Sequence, residues 1–138
     1  KTGRAEISDD YAPYLEAYAA FLREHDVKWE LIEHPDYHPV HGYAGTIDRY
    51  GTVDGYRTLV DLKTTYTVYK PLCSASLNLY RMILEARQKA VERLLIVHLK
   101  KDGTYKLIKF EFDDAVPMAL LTLHNVLKKK RRKNECRQ

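Results

Sequence analysis

Cysteine is nearly absent from this sequence: Cys73 and Cys136 are the only two in 138 residues. One falls in a segment patterned as a helix and the other in a charged terminus, which argues against a disulfide framework and for a reducing cytoplasm. Long apolar runs are missing too. No window approaches the roughly 18 uninterrupted apolar residues of a membrane-spanning helix, so no membrane partner is expected. Glycine and proline number six and five, and they form no Pro/Gly-rich break, low-complexity linker or repeat that would split the chain. The start, Lys1-Thr2-Gly3-Arg4, lacks both an initiator Met and an apolar signal core. It reads as the middle of a longer protein, so residues useful to a site are expected upstream.

What is present is ordinary in bulk and uneven in detail. Apolar residues make up 45% and charged residues 30%, and the length suits one domain with its own core. The net charge is +4, yet Lys128 to Lys133 alone carries six positive charges, leaving the remainder slightly acidic. The sequence therefore reads as a single domain over 1–127 followed by a basic, solvated tail over 128–138. Phosphate attraction is the sharper reading of that tail.

Apolar spacing places the elements. Asp9-Asp10 ahead of Tyr14, Leu15, Tyr18, Phe21 and Leu22 predicts a helix over 10–25. Val27 to Leu31 alternates as a half-buried strand does. Tyr43 to Tyr50 and Tyr56 to Thr64 are β-like, and Asp54-Gly55 between them supplies hairpin turn chemistry. Pro71 opens a helix carrying Leu72, Leu79, Tyr80, Ile83 and Leu84. Leu94 to Val97 reads as a strand covered on both faces. Asp102-Gly103 turns the chain into Tyr105 to Phe112, and Asp113-Asp114 cap a last helix with Leu120, Leu123 and Leu127 at helical spacing. Meandering strands followed by a helical crossover imply an α/β fold, a central mixed sheet flanked by helices.

Two aspartates sit where strands disfavour them. In Leu59-Val60-Asp61-Leu62-Lys63-Thr64-Thr65, Asp61 and Lys63 share one strand face and Val60 and Leu62 the other. The preceding strand holds Asp48. Paired through the hairpin, Asp48 and Asp61 are expected to meet at one end of the sheet. Close carboxylates repel unless something positive intervenes. Mg²⁺ answers that need, taking a few carboxylate oxygens and keeping waters. An ordinary surface Asp–Lys pair is the bland alternative.

Gly45-Thr46-Ile47-Asp48, followed thirteen positions later by Asp61-Leu62-Lys63, resembles the PD-(D/E)XK nuclease superfamily, in its RecB-like and phage-exonuclease branch. The order of helix, three strands, helix and strand is similar to that family's core, and the resemblance spans about residues 10 to 112. It implies a restriction-endonuclease-like core and a Mg²⁺-dependent (or Mn²⁺-dependent) nuclease hydrolysing DNA, exonuclease-like, in phage recombination or DNA repair. Asp48, Asp61 and the Leu62 carbonyl would hold metal, and Lys63 would assist the nucleophile. Thr64 and Thr65 would contact backbone phosphates. A bacterial or phage-infected cytoplasm follows, with DNA as partner and a homo-oligomer or a recombination protein as further partners.

Two departures mark the match. The branch carries Gln one turn before a Tyr on the following helix, whereas here Ser76 precedes Tyr80; both remain candidate substrate contacts. The family's acid or His from the first helix has no clear counterpart among Glu16, Glu24 and His25. An incomplete first motif would favour a catalytically inactive DNA-binding or assembly module. His34, His38 and His41 read as surface-loop histidines rather than zinc ligands, since prolines break any regular face. Sheet and helix packing accounts for most of the 11 tyrosines, while Tyr66 and Tyr69, just past the Asp61-Leu62-Lys63 strand, could stack on unpaired bases as in single-strand-binding grooves.

Overall fold

The computed structural model describes residues 10–136, with side chains through 134. Eight elements run in order: α1 (Ala12–Glu24), β1 (Val27–Tyr37), β2 (Ala44–Val53), β3 (Tyr56–Lys63), α2 (Lys70–Ala86), β4 (Arg93–Leu99), β5 (Tyr105–Phe110) and α3 (Ala115–Cys136). The fold is α/β, with one open five-stranded mixed sheet in the order β1-β2-β3-β4-β5 and three helices among the described residues. The first three strands form an antiparallel meander. β4 then lies parallel to β3, and β5 returns antiparallel to β4. A parallel neighbour cannot be reached by a tight turn, and α2 is the crossover that makes it.

Strand alternation sends successive side chains to opposite faces, and each face has its own core. Leu59, Leu94 and Ile96 pack with Ile47, Tyr50 and with Leu77, Ile83 and Leu84 of α2. Val60, Leu95 and Val97 pack with Val53 and with Ala17 and Phe21 of α1. Each buried Val, Leu, Ile or Phe among them stabilises the fold by roughly 1.5–3 kcal/mol. β4 is buried from Leu94 to Leu99, as its unbroken apolar run implies.

Asp54 and Gly55 take φ of 53° and 84°, the left-handed pair that a two-residue hairpin turn requires. Gly51 is needed for a different reason. A Cβ there would lie 2.0 Å from the Lys28 carbonyl oxygen, where β1 bulges between Trp29 and Leu31 and crosses close to β2.

Several expectations need correction. α1 begins at Ala12 with Pro13 in its first turn and no acidic residue there; Asp9 lies outside the described residues. β1 continues past Leu31 to Tyr37 and takes in Pro35. It is the edge strand, and an edge tolerates a residue with no N–H to donate. His34 therefore lies in a strand, and His38 is buried rather than on a surface loop. Its Nδ1 accepts the backbone N–H groups of Val40 and His41, folding the β1–β2 connection around it. Leu72 is exposed in the first turn of α2. Asp113 does cap α3, accepting from the N–H of Ala115 and Val116. Yet α3 is held mainly through Pro117 and Leu121, and Leu120, Leu123 and Leu127 face outward. Lys128 to Lys133 are helical and continue α3. No helix among the described residues is long and apolar enough to cross a membrane.

Candidate functional site

The β2–β3 ladder runs from Val53↔Tyr56 to Arg49↔Val60 and then stops. Two residues further along β3, the Leu62 N–H donates to the Asp48 carboxylate, at 2.8 Å from Oδ2. A side-chain oxygen thus takes over from the backbone acceptor that an unbroken ladder would supply. The N–H and C=O of a strand residue leave on the same side, so the Leu62 carbonyl also faces this opening. Asp48 is brought against Asp61, close enough to act on it both as a like charge and as a hydrogen-bond partner. The expected convergence of the two carboxylates is present.

Burial is the main reason that the Asp61 carboxyl titrates above its ordinary range. Lys63 opposes that shift, and the neighbouring Asp48 adds to it. The Lys63 Nζ lies 2.9 Å from Asp61 Oδ2, and this hydrogen bond holds the lysine charged to higher pH than usual. The Lys63 side chain is 38% exposed and that of Asp61 25%, so solvent and a ligand both reach them.

Arg49 was not foreseen. Its Nη1 lies 3.0 Å from Asp48 Oδ1 and also donates to the Asp48 backbone carbonyl. Each carboxylate therefore has its own cation, Arg49 for Asp48 and Lys63 for Asp61. Relief of repulsion alone does not require a divalent ion here, contrary to the argument from the paired aspartates. What fits Mg²⁺ is the donor set itself: two partly accessible carboxylates and a backbone carbonyl, all hard oxygen. Among the described residues no group of three or more His, Cys, Asp or Glu side chains is placed to hold a metal ion. Such an ion would rest on Asp48, Asp61, the Leu62 carbonyl and water.

α2 closes one side of the site. Cys73, Ser76 and Tyr80 follow one another at helical spacing, all partly buried. Cys73 and Tyr80 both lie near enough to Lys63 to raise its pKa slightly. Tyr80 packs over Gly45, where a Cβ would come 2.5 Å from its Cε1. The glycine of the Gly45-Thr46-Ile47-Asp48 segment is thus the seat for the Tyr80 ring. Glu16, Glu24 and His25 do not join the site. Glu16 sits by Gly103, Glu24 accepts from the Tyr105 hydroxyl, and His25 pairs with Asp54 at the far end of the hairpin.

Beyond Lys63, Thr64 and Thr65 are exposed and line a cleft of about 630 Å³ together with Tyr14, Tyr66 and residues 98–102. His98, which pairs with Lys63 in the β3–β4 register, places its Nε2 2.6 Å from the Thr65 carbonyl. It fixes the chain as it leaves β3. No family model matches this chain, and no curated protein does either. The reading of the site rests on its own geometry.

Proposed function

We propose that the chain is a Mg²⁺-dependent DNA nuclease on a restriction-endonuclease-like core, exonuclease-like in action. One observation carries the reading: the Asp48 carboxylate sits in the opened β2–β3 ladder beside Asp61, with Lys63 on the same strand face. When bound, the ion supplies an activated water and a Lewis acid for phosphodiester hydrolysis. Asp48 and Asp61 would hold it by one oxygen or more each, with the Leu62 carbonyl as a third donor. Lys63 can swing from Asp61 to a non-bridging phosphate oxygen, where its charge stabilises the transition state. Ser76 and Tyr80 border the same opening, and Thr64 and Thr65 extend it toward the path of the strand.

A second reading is a non-cutting DNA-binding or assembly module on the same fold. The two ion pairs favour it, because they leave both carboxylates matched without a cation. Single-turnover cleavage of fluorescent linear DNA in Mg²⁺ or Mn²⁺ decides between the two. Lys63→Ala should fold normally and cut about a hundredfold or more slowly, the usual loss when one electrostatic stabiliser is removed. Equal rates would remove Lys63 from the mechanism. DNA binding with no cleavage by either protein would favour the module.

A further inference from the structure

The cleft past Lys63 has features that the folded chain does not use. Tyr66 is 98% exposed, so its ring packs on nothing and both its faces are open to a ligand. Lys100 and Lys101 border the cleft, and neither ammonium group lies within ion-pair distance of a carboxylate among the described residues. Asp102 is the one acid in the lining; its Oδ1 is engaged by the N–H and hydroxyl of Thr104, and Lys100 acts on it only as a nearby charge, beyond ion-pair distance. Tyr14 of α1 closes the opposite wall. A volume of about 630 Å³ lies within the range of small-ligand sites, roughly 300–1,000 Å³.

We infer that this cleft receives an unpaired nucleotide of a single DNA strand, its base on Tyr66 and its phosphates toward Lys100, Lys101 and the Thr64 hydroxyl. The inference deepens the nuclease reading and rests on it for the identity of the polymer. Aromatic rings combined with lysines along a groove are how single strands are held without sequence preference. A duplex offers no free base face to a side chain in a cleft, so the geometry selects an unpaired strand. The position is equally specific. Thr64 follows Lys63 directly, and a strand advances about 3.3 Å per residue. The cleft therefore begins one residue past the end of β3, next to the residue that carries the Lys63 ammonium. His98, buried and bonded to the Thr65 carbonyl, keeps the cleft floor from shifting relative to Lys63.

The test is fluorescence anisotropy with a labelled oligothymidylate and with a hairpin duplex, in EDTA so that nothing is cut. Tyr66→Ala should weaken oligothymidylate binding about five- to a hundredfold, the range for one lost base stack. It should leave duplex binding within about twofold, and Tyr66→Trp should restore the single-strand affinity. The Lys100→Ala, Lys101→Ala double variant should flatten the single-strand salt dependence by about 1.4 in slope, two contacts at about 0.7 each. These side chains lie on the surface, so the variants fold, and circular dichroism checks this. Unchanged single-strand binding, equal losses on duplex and single strand, or no oligothymidylate binding by the wild type would each overturn the inference. Failure of the nuclease reading looks different. In that case Tyr66→Ala loses the oligonucleotide while no protein cuts DNA, whereas Lys63-dependent cleavage with intact Tyr66→Ala binding condemns the cleft alone.

Discussion

At the closed end of the β2–β3 hairpin, Asp54 accepts from His25 Nδ1 at 2.7 Å and from the Asp26 N–H at 2.8 Å. These partners, His25 first, hold its carboxyl below the ordinary range. At the open end of the same hairpin, Asp61 is desolvated and faces another carboxylate, and it titrates above that range despite Lys63. One aspartate is where the fold wants a negative charge. The other keeps a charge in a place that resists it. Strained electrostatics of the second kind suit a site for a cation, because a cation relieves them; a turn gains nothing by them.

The largest effect expected from this contrast is in metal binding. Mn²⁺ at a hundred times its dissociation constant should stabilise the wild type by about 2.7 kcal/mol, read as a rise in melting temperature. Asp48→Asn or Asp61→Asn should abolish that rise, and Asp54→Asn should leave it intact. If all three variants respond alike, the open end is not a cation site and the contrast with the turn loses its functional meaning.

The next effect is on packing. Gly45→Ala puts a methyl group into the Tyr80 ring, and overpacking of this kind costs about 1–3 kcal/mol. A double-mutant cycle isolates the cause: in a Tyr80→Ala background the alanine at position 45 should cost almost nothing. Full cost in both backgrounds would mean that Gly45 serves the β2 backbone and not the seat of Tyr80. Gly55, by contrast, has open space around a Cβ and is held by its φ of 84°. The two glycines mark the two ends of the hairpin for different reasons, contact at one and conformation at the other.

How much of this could be read in the sequence follows the same division between local and distant causes. The Asp54-Gly55 turn, the entry of α2 at Pro71 and the buried run of β4 are local signals, and all three stand in the structure. The meeting of Asp48 with Asp61 followed from a hairpin register, which is nearly local. β1 beyond Leu31 was not legible, because its Pro35 is tolerated only on an edge, and edge position is a property of the whole sheet. The spacing of Leu120, Leu123 and Leu127 foretold a helix but not that this stripe faces outward, because spacing says nothing about where a helix lies. Arg49 was missed although it adjoins Asp48 in sequence, since nothing local shows an arginine folding back on its neighbour's carboxylate. The Gly45–Tyr80 seat and His98 beside Lys63 join residues 35 positions apart, and only the tertiary fold brings them together.

The smallest effect is the most direct measure of the contrast, and it needs no metal. A carboxyl whose folded pKa is raised favours folding in its neutral form; that contribution is present below the unfolded pKa and lost as pH rises through the folded one. Asp61 is such a group. In EDTA, Asp61→Asn should therefore melt above the wild type at pH 7, and the gap should close as pH falls and Asp61 takes up its proton. Asp54 has the opposite sign. Its depressed pKa gives stability above the unfolded value of about 3.9, lost as pH falls through the folded value. Asp54→Asn should melt below the wild type at pH 7, and that deficit should shrink in acid. Asparagine keeps the size of each side chain and tolerates the left-handed turn position, so the two variants differ mainly in the charge removed. Thermal melts between pH 3 and pH 8 read both gaps on one axis. Converging curves from opposite sides would uphold the contrast. Two curves that both lie below the wild type at pH 7 would make Asp61 an ordinary partner of Lys63, and with it the case for a poised site at the open end of the hairpin would fall.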